Sequence, residues 1–184
     1  MDVSEAIAKR RSVRTYLDKE VSSDDLARIV EAGRWAPNAG TFQIAVIRNP
    51  ELRQRINDHT LDAMVESGIE LLQQRASLPG YQPLYGAPAL LLLSAPADAP
   101  HGVLNAALAA ENMLLEATGL GLGSCFLVSP NLALNGEENR ALAREVGIPE
   151  GHVLKCAIIL GYPAAGDRFS AGKRERKGVV VYVD

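Results

Sequence analysis

The chain has 184 residues, of which 47% are apolar and 22% charged, and its formal net charge is −3. This composition is that of an ordinary globular domain, and the negative charge excludes a protein whose whole surface is built to bind nucleic acid. The longest apolar run, residues 87–93, is much too short to span a membrane, and the first residues lack the pattern of a signal peptide. We therefore expect one domain over residues 1–184, located in the cytoplasm, with no membrane or nucleic-acid partner.

Cap residues and apolar spacing predict the helices and strands in chain order. Asp2 followed by Glu5 resembles a capping box, Ser22 or Ser23 caps the second helix, and Pro50 stands in the first turn of a long third helix. This long helix and a late strand favour an α+β fold with a mixed sheet over a regular doubly wound fold. The predicted helices cover residues 2–11, 22–34, 51–76, 102–118 and 136–146, and the predicted strands cover residues 42–47, 89–95, 124–128, 153–160 and 179–183.

The helix over residues 102–118 is apolar almost all round, which predicts a place at the centre of the core or at a subunit interface. The G-x-G-x-G segment at 119–123 follows this helix and precedes a strand. A dinucleotide fingerprint needs the reverse order, so a Rossmann-type site is excluded. The segment is either a helix C-cap or a close approach of the backbone to a ligand.

Nine of the 19 Lys and Arg residues fall in two short runs, residues 9–14 and 168–177. Such clustering in an acidic chain favours a local pocket for a small anion such as phosphate. The first run supplies guanidinium groups and a hydroxyl within five residues, from Arg10 to Arg14. The alternative is a solvated basic helix end, since cations favour helix C-termini.

The connection over residues 36–43 carries two amide side chains, Asn38 and Gln43. Amides can form hydrogen bonds with the edges of a flat heteroaromatic ring. The alternative is an ordinary link between a helix and a strand.

Side chains that could carry out chemistry on their own are scarce. His59, His101 and His152 are far apart and have no partner at metal-ligand spacing. Cys125 and Cys156 lie in apolar runs, as expected for buried free thiols in a reducing compartment. A phosphate site without a metal, a nucleophile or an acid–base pair indicates that a bound cofactor supplies the chemistry.

Five segments, in order and over almost the whole chain, resemble the FMN-dependent nitroreductase family. They are residues 10–14, similar to R-[RH]-S-x-[RK]; residues 36–43, similar to A-P-S-A-x-N-x-Q; residues 85–88, similar to F-x-x-A-P; residues 110–125, ending in G-L-G-S-C; and residues 160–163, followed by basic residues. The resemblance implies a three-layer sandwich with a central mixed, mainly antiparallel sheet flanked by helices. It also implies a homodimer with exchanged terminal segments and FMN in the subunit interface.

The resemblance further implies which residues bind FMN. The phosphate and ribityl chain would contact Arg10, Arg11, Ser12 and Arg14, together with Lys173 and Arg174 of the tail or, after a shift of two residues, Arg176. The ring would lie beside Phe126, Leu127 and Val128, and would contact Pro37, Asn38, Ala39 and Gln43 of the partner subunit.

The implied activity is a ping-pong transfer of reducing equivalents from NAD(P)H through flavin N5 to an electron-poor acceptor, such as a nitroaromatic, a quinone or an enone. No side chain is then catalytic. Asn38, Thr41, Ile44–Ala45 and Val128 depart from the family pattern at the ring end. They leave open a flavin-binding protein without general reductase activity, and the basic ends leave open a small anion- or RNA-binding module.

Overall fold

The structure is a computed structural model that describes residues 1–165 and 177–183. None of the helices in these ranges is both long and apolar enough to cross a bilayer. The α-helices are α1 (Val3–Lys9), α2 (Ser23–Arg34), α3 (Pro50–Glu66), α4 (Glu70–Ala76), α5 (Gly102–Gly119), α6 (Pro130–Leu134) and α7 (Arg140–Glu145), and a 3₁₀ helix covers Glu137–Asn139. The strands are β1 (Gln43–Ile47), β2 (Ala89–Pro96), β3 (Gly123–Leu127) and β4 (His152–Gly161).

The four strands form one sheet in the order β1-β2-β4-β3, and each neighbouring pair is antiparallel. Among the described residues, parallel pairing is limited to an isolated bridge between Ser12 and Ser124, which lies in β3. Four of the five predicted strands are confirmed to within one residue at each end. β2 is apolar on both faces, and such a strand must be covered on both faces. Its apolar run therefore explains why it lies inside the sheet and not at an edge.

Helices cover the two faces of the sheet. On one face, α2 and α5 pack on Leu91, Leu93 and Ile158, and on the other face α3, α6 and α7 pack on Leu90 and Leu92. All five of these residues are at most 1% exposed. The three layers confirm the predicted α+β class.

The predicted caps explain where the first helices begin. The Asp2 carboxylate accepts a hydrogen bond from the Glu5 amide at 2.8 Å, and the Ser22 hydroxyl accepts one from the Asp25 amide at 3.0 Å. Each cap satisfies an amide that has no partner inside its helix. The cap residues therefore predicted the starts of α1 and α2 correctly.

Two predicted helices were wrong in extent. The helix over residues 51–76 is two helices, α3 and α4, because Gly68 adopts a φ of +67° and ends the first one. The helix over 136–146 is a 3₁₀ turn followed by the six residues of α7. The short helix α6 was not predicted.

The predicted strand over residues 179–183 is wrong for the single chain. These residues form no regular element, and their side chains are exposed, with Val179 at 93% and Tyr182 at 86%. A strand needs a neighbouring strand to satisfy its backbone groups, and this segment pairs with none of the strands in the described residues. Lys173, Arg174 and Arg176 lie outside the described residues.

Ile158→Ala should lower the free energy of unfolding by about 2–5 kcal/mol, because this fully buried side chain lies between the sheet and α5. Urea denaturation followed by circular dichroism measures the change. Val65→Ala, at a position 53% exposed on α3, is the control and should change stability by less than about 0.5 kcal/mol. Equal effects of the two substitutions would contradict the assigned core.

Candidate functional site

The segment from Arg10 to Arg14 lies against the start of β3. The Val13 amide donates a hydrogen bond to the Ser124 carbonyl at 2.8 Å, and the buried Val13 side chain sits over Gly123. A Cβ at Gly123 would lie 2.8 Å from Val13 Cγ1 and 2.9 Å from Val13 Cβ, well inside van der Waals contact. The absent side chain therefore lets the basic segment dock on the sheet.

The glycine-rich segment after α5 is a helix C-cap. Gly121 has a φ of +77°, and the Leu122 amide donates to the Ala117 carbonyl at 2.8 Å. Of the two sequence interpretations, the cap is confirmed. The close contact in this segment is that of the Val13 side chain with the backbone of Gly123.

A cleft of about 400 Å³ opens beside the end of β3. Its lining brings Arg14 together with Phe126, Leu127 and Val128. Its other walls come from the end of α3, from α4, from the loop before β2 and from α6. These walls are lined by Met64, Ile69, Leu72, Arg75, Tyr81, Tyr85, Cys125, Ser129 and Leu132.

Arg14, Arg75, Tyr81 and Tyr85 form a cation–aromatic cluster in the cleft. The Cζ atoms of Arg14 and Arg75 lie 5.9 and 6.0 Å from the centroid of the Tyr85 ring, and Arg75 Cζ lies 5.5 Å from that of Tyr81. Arg75 Nη2 donates a hydrogen bond to Tyr85 Oη at 2.7 Å. The two rings meet edge to face, with centroids 5.7 Å apart. Burial raises the pKa of Tyr81, so its hydroxyl is neutral at physiological pH.

The charge of the cleft is one-sided. Among the described residues that line it, two are arginines and none is acidic. Within the described ranges, no carboxylate pairs with Arg14 or Arg75. An apolar cleft with two uncompensated guanidinium groups favours an anionic ligand that has a flat or apolar body.

The other residues of the basic segment that are predicted to bind the phosphate do not line the cleft themselves. Arg10 Nε forms an ion pair with Glu111 Oε1 at 3.2 Å, so part of its charge is already compensated within the chain. Arg11 is exposed, and Ser12 is half-buried beside β3. Neither Arg10, Arg11 nor Ser12 lines the cleft, although all three precede Arg14 on the same segment.

The predicted ring-side loop lies elsewhere in the single chain. Asn38 and Gln43 line a second groove of about 450 Å³ that shares no lining residue with the cleft. Asn105 of α5 holds the loop by accepting from the Ala39 amide at 3.1 Å and donating to the Ala39 carbonyl at 3.2 Å. Gln43 Nε2 donates to the Gly147 carbonyl. One chain alone therefore does not bring these residues to the cleft.

Sequence reasoning missed Arg75, Tyr81 and Tyr85 as site residues. A signal was present, because Arg75 is the only Lys or Arg among residues 56–139. The prediction of one uninterrupted helix over 51–76 left Arg75 without an assigned role, whereas the structure ends that helix before Gly68 and brings α4 to the cleft.

The described residues contain no group of three or more His, Cys, Asp or Glu that could hold a metal ion. Both cysteines are free and buried, as predicted. Burial raises the pKa of Cys156 to about 12, so its thiol is protonated and unreactive at neutral pH.

The structure is that of an α+β protein whose cleft is lined by two arginines and no acidic residue among those described. Residues 7–162 match the nitroreductase family, and the chain belongs to that family. A protein of Archaeoglobus fulgidus, provisionally named NADH dehydrogenase/NAD(P)H nitroreductase, is 31% identical over 93% of this chain and 95% of its own length. The structure of a nitroreductase with bound FMN from Bacteroides fragilis is 32% identical, with complete coverage of both chains and a TM-score of 0.89. An FMN-bound nitroreductase of Desulfitobacterium hafniense, at 23% identity with complete coverage of both chains and a TM-score of 0.82, shows the same fold.

Gly123→Ala should lower the free energy of unfolding by about 1–3 kcal/mol, because the new methyl group would push Val13 away from β3. Urea denaturation measures the loss. Gly119→Ala is the matched control: nothing lies within 4 Å of a Cβ there, and alanine favours the helix. If Gly123→Ala were as stable as Gly119→Ala, the close packing of Val13 on Gly123 would be disproved.

Proposed function

We propose that this chain is an FMN-dependent oxidoreductase that passes reducing equivalents from NAD(P)H to an electron-poor small molecule. The observation that carries the proposal is the cleft in which Arg14 meets the end of β3 without any acidic lining residue among those described. The FMN bound by the Bacteroides fragilis relative and the name of the Archaeoglobus fulgidus relative support it.

The cleft fits FMN in charge, size and polarity. A volume of about 400 Å³ lies in the usual range for small-molecule sites. Arg14 supplies a guanidinium for the phosphate or ribityl end, and the half-exposed Phe126 and exposed Val128 supply an apolar surface for a flat ring. We assign Arg10, Arg11, Ser12 and Arg14 to the phosphate and ribityl chain, with Lys173 and Arg174, or Arg176, from the tail. Phe126, Leu127 and Val128 are assigned to the ring.

We further propose a homodimer in which each subunit completes the site of the other. Pro37, Asn38, Ala39 and Gln43 lie away from the cleft of their own chain, as expected if they serve the partner's flavin. An exposed apolar stripe on α5 offers an interface, and its members are Val103, Leu104 and Leu108. The exposed tail 179–183 and the open edge of β1 fit an exchange of terminal segments.

Bound FMN would supply a ring that accepts two electrons and a proton as a hydride and later gives up the electrons. NAD(P)H would be the hydride donor, and a nitroaromatic, quinone or enone acceptor would take up two electrons and two protons in all, one of the protons from solvent. The protein's residues hold the phosphate, cover the ring and exclude water, so no side chain has to transfer a proton.

A flavin-binding protein without general reductase activity is the second candidate. It is favoured by the departures from the family pattern at Asn38, Thr41 and Val128, since Val128 lies at the end of β3 where the ring is proposed to bind. The two candidates share a site and differ in whether NAD(P)H can reduce the flavin.

The visible spectrum of the purified protein tests the proposal. A yellow protein that is bleached by NADH or NADPH without oxygen, and recoloured by menadione or a nitroaromatic, supports the oxidoreductase. A yellow protein that neither dinucleotide bleaches supports the second candidate. A colourless protein that takes up no added FMN would refute both and leave the anion- or RNA-binding alternative.

Arg14→Ala should raise the dissociation constant for FMN roughly 10- to 100-fold, because a charge-assisted hydrogen bond to the phosphate is lost. Quenching of FMN fluorescence on binding measures the constant. Arg55→Ala is the control, since Arg55 forms a surface ion pair with Glu145 at 2.9 Å outside the cleft. An unchanged constant for Arg14→Ala would remove Arg14 from the site.

Leu104→Glu should convert the dimer to monomers and release FMN, because it places a charge on the apolar stripe of α5. Size-exclusion chromatography with light scattering gives the mass, and the absorbance of the same peak gives the flavin content. Val65→Glu introduces the same charge at an exposed position of α3, and it should leave both the mass and the flavin content unchanged. A Leu104→Glu dimer that retains its flavin would show that α5 is not the interface.

A further inference from the structure

Arg75 is an isolated cation placed in an otherwise apolar wall of the cleft. It is the only Lys or Arg among residues 56–139, and α4 carries it to the cleft together with Leu72. The described residues offer it no carboxylate within ion-pairing distance, and its Nε atom is buried without a hydrogen-bond partner. A positive charge that is half-buried and uncompensated favours a ligand that carries or gains negative charge.

Two tyrosines hold the Arg75 guanidinium in place. Tyr85 accepts its hydrogen bond at 2.7 Å, and the Cζ atom lies 5.5 Å from the centroid of the Tyr81 ring. Tyr85 adopts a φ of +52°, a left-handed conformation that residues with a Cβ rarely adopt. The loop therefore holds Tyr85 in this position at a cost in backbone strain. The neutral Tyr81 hydroxyl leaves the charge of Arg75 intact.

Arg14 and Arg75 have different roles in the proposed site. Arg14 belongs to the basic N-terminal segment, which is assigned to the phosphate and ribityl chain. Arg75 belongs to α4, and it shares its wall with Ile69, Leu72 and Leu132, which suit a flat apolar body better than a phosphate. Its charge therefore remains available to the ring or to what binds next to the ring.

We propose that Arg75, positioned by Tyr85, faces the ring of bound FMN and raises the midpoint potential of the flavin. The inference rests on the proposed function. Two-electron reduction with one proton gives the flavin ring one negative charge, and a nearby guanidinium in a cleft of low dielectric stabilises that charge more than it stabilises the neutral oxidised ring. The positive charge of Arg75 thus makes reduction by NAD(P)H more favourable, and Arg75 itself transfers no proton.

Redox titration of the FMN-loaded protein against a reference dye tests this role. Arg75→Met should weaken the preference for reduced over oxidised FMN about tenfold, which for a two-electron couple makes the potential about 30 mV more negative. Arg75→Lys, which keeps the charge, should recover most of the shift. Arg55→Met is the control for loss of a surface arginine and should leave the potential unchanged.

Tyr85→Phe keeps the charge of Arg75 and removes its hydrogen bond, so it should shift the potential in the same direction by a smaller amount. This variant decides the question if Arg75→Met does not fold. An unchanged potential in the folded variants overturns the inference, and a raised KM for carboxylated acceptors beside that unchanged potential would assign Arg75 to acceptor binding instead. Wild-type protein that binds no FMN would overturn the proposed function itself, which is a different result.

Discussion

The pairing of β2 with β4 is the constraint on which the rest of the structure depends. Both strands are buried on both faces, so each face must be covered by helices, and the short strands β1 and β3 are left at the edges. The candidate cleft forms at the β3 edge because that edge is covered only in part, by the basic segment docked at Gly123 and by α4. The same burial that stabilises the core therefore determines where a ligand can bind.

The cleft is lined by two arginines and no acidic residue among those described, whereas the grooves at Arg34 and Arg53 have one arginine each and the groove at Arg140 also contains Glu150. The chain as a whole is acidic, yet the cleft brings two arginines together around Tyr85 without an acidic residue among its described lining. Most other cations in the described ranges have a partner, as Arg10 has Glu111 and Arg28 has Glu116. Paired surface cations contribute little to binding, whereas guanidinium groups without a carboxylate keep their full attraction for an anion.

Local signals in the sequence predicted much of this structure. The caps at Asp2 and Ser22, the apolar run of β2 and the basic start all depend on residues near one another in the chain. The break at Gly68 was missed because one glycine does not outweigh the helical pattern on either side. Arg75 and Tyr85 were missed because their contacts depend on how α4 turns after that break. The strand over 179–183 was wrong because a β-rich composition forms a strand only where a neighbouring strand pairs with it, and among the described residues this segment has no such pair.

The separation of the two regions that are proposed to bind the flavin has a consequence for assembly. Asn38 and Gln43 are held at one groove by Asn105 and Gly147, while Arg14 and Val128 lie at another, so no small shift of the loop within one chain can unite them. If both regions contact one flavin, as proposed, the cofactor binds a complete site only in the dimer. Binding and dimerisation then stabilise each other by mass action. The apolar stripe of α5 and the exposed tail are, on this view, as much a part of the cofactor site as the arginines of the cleft.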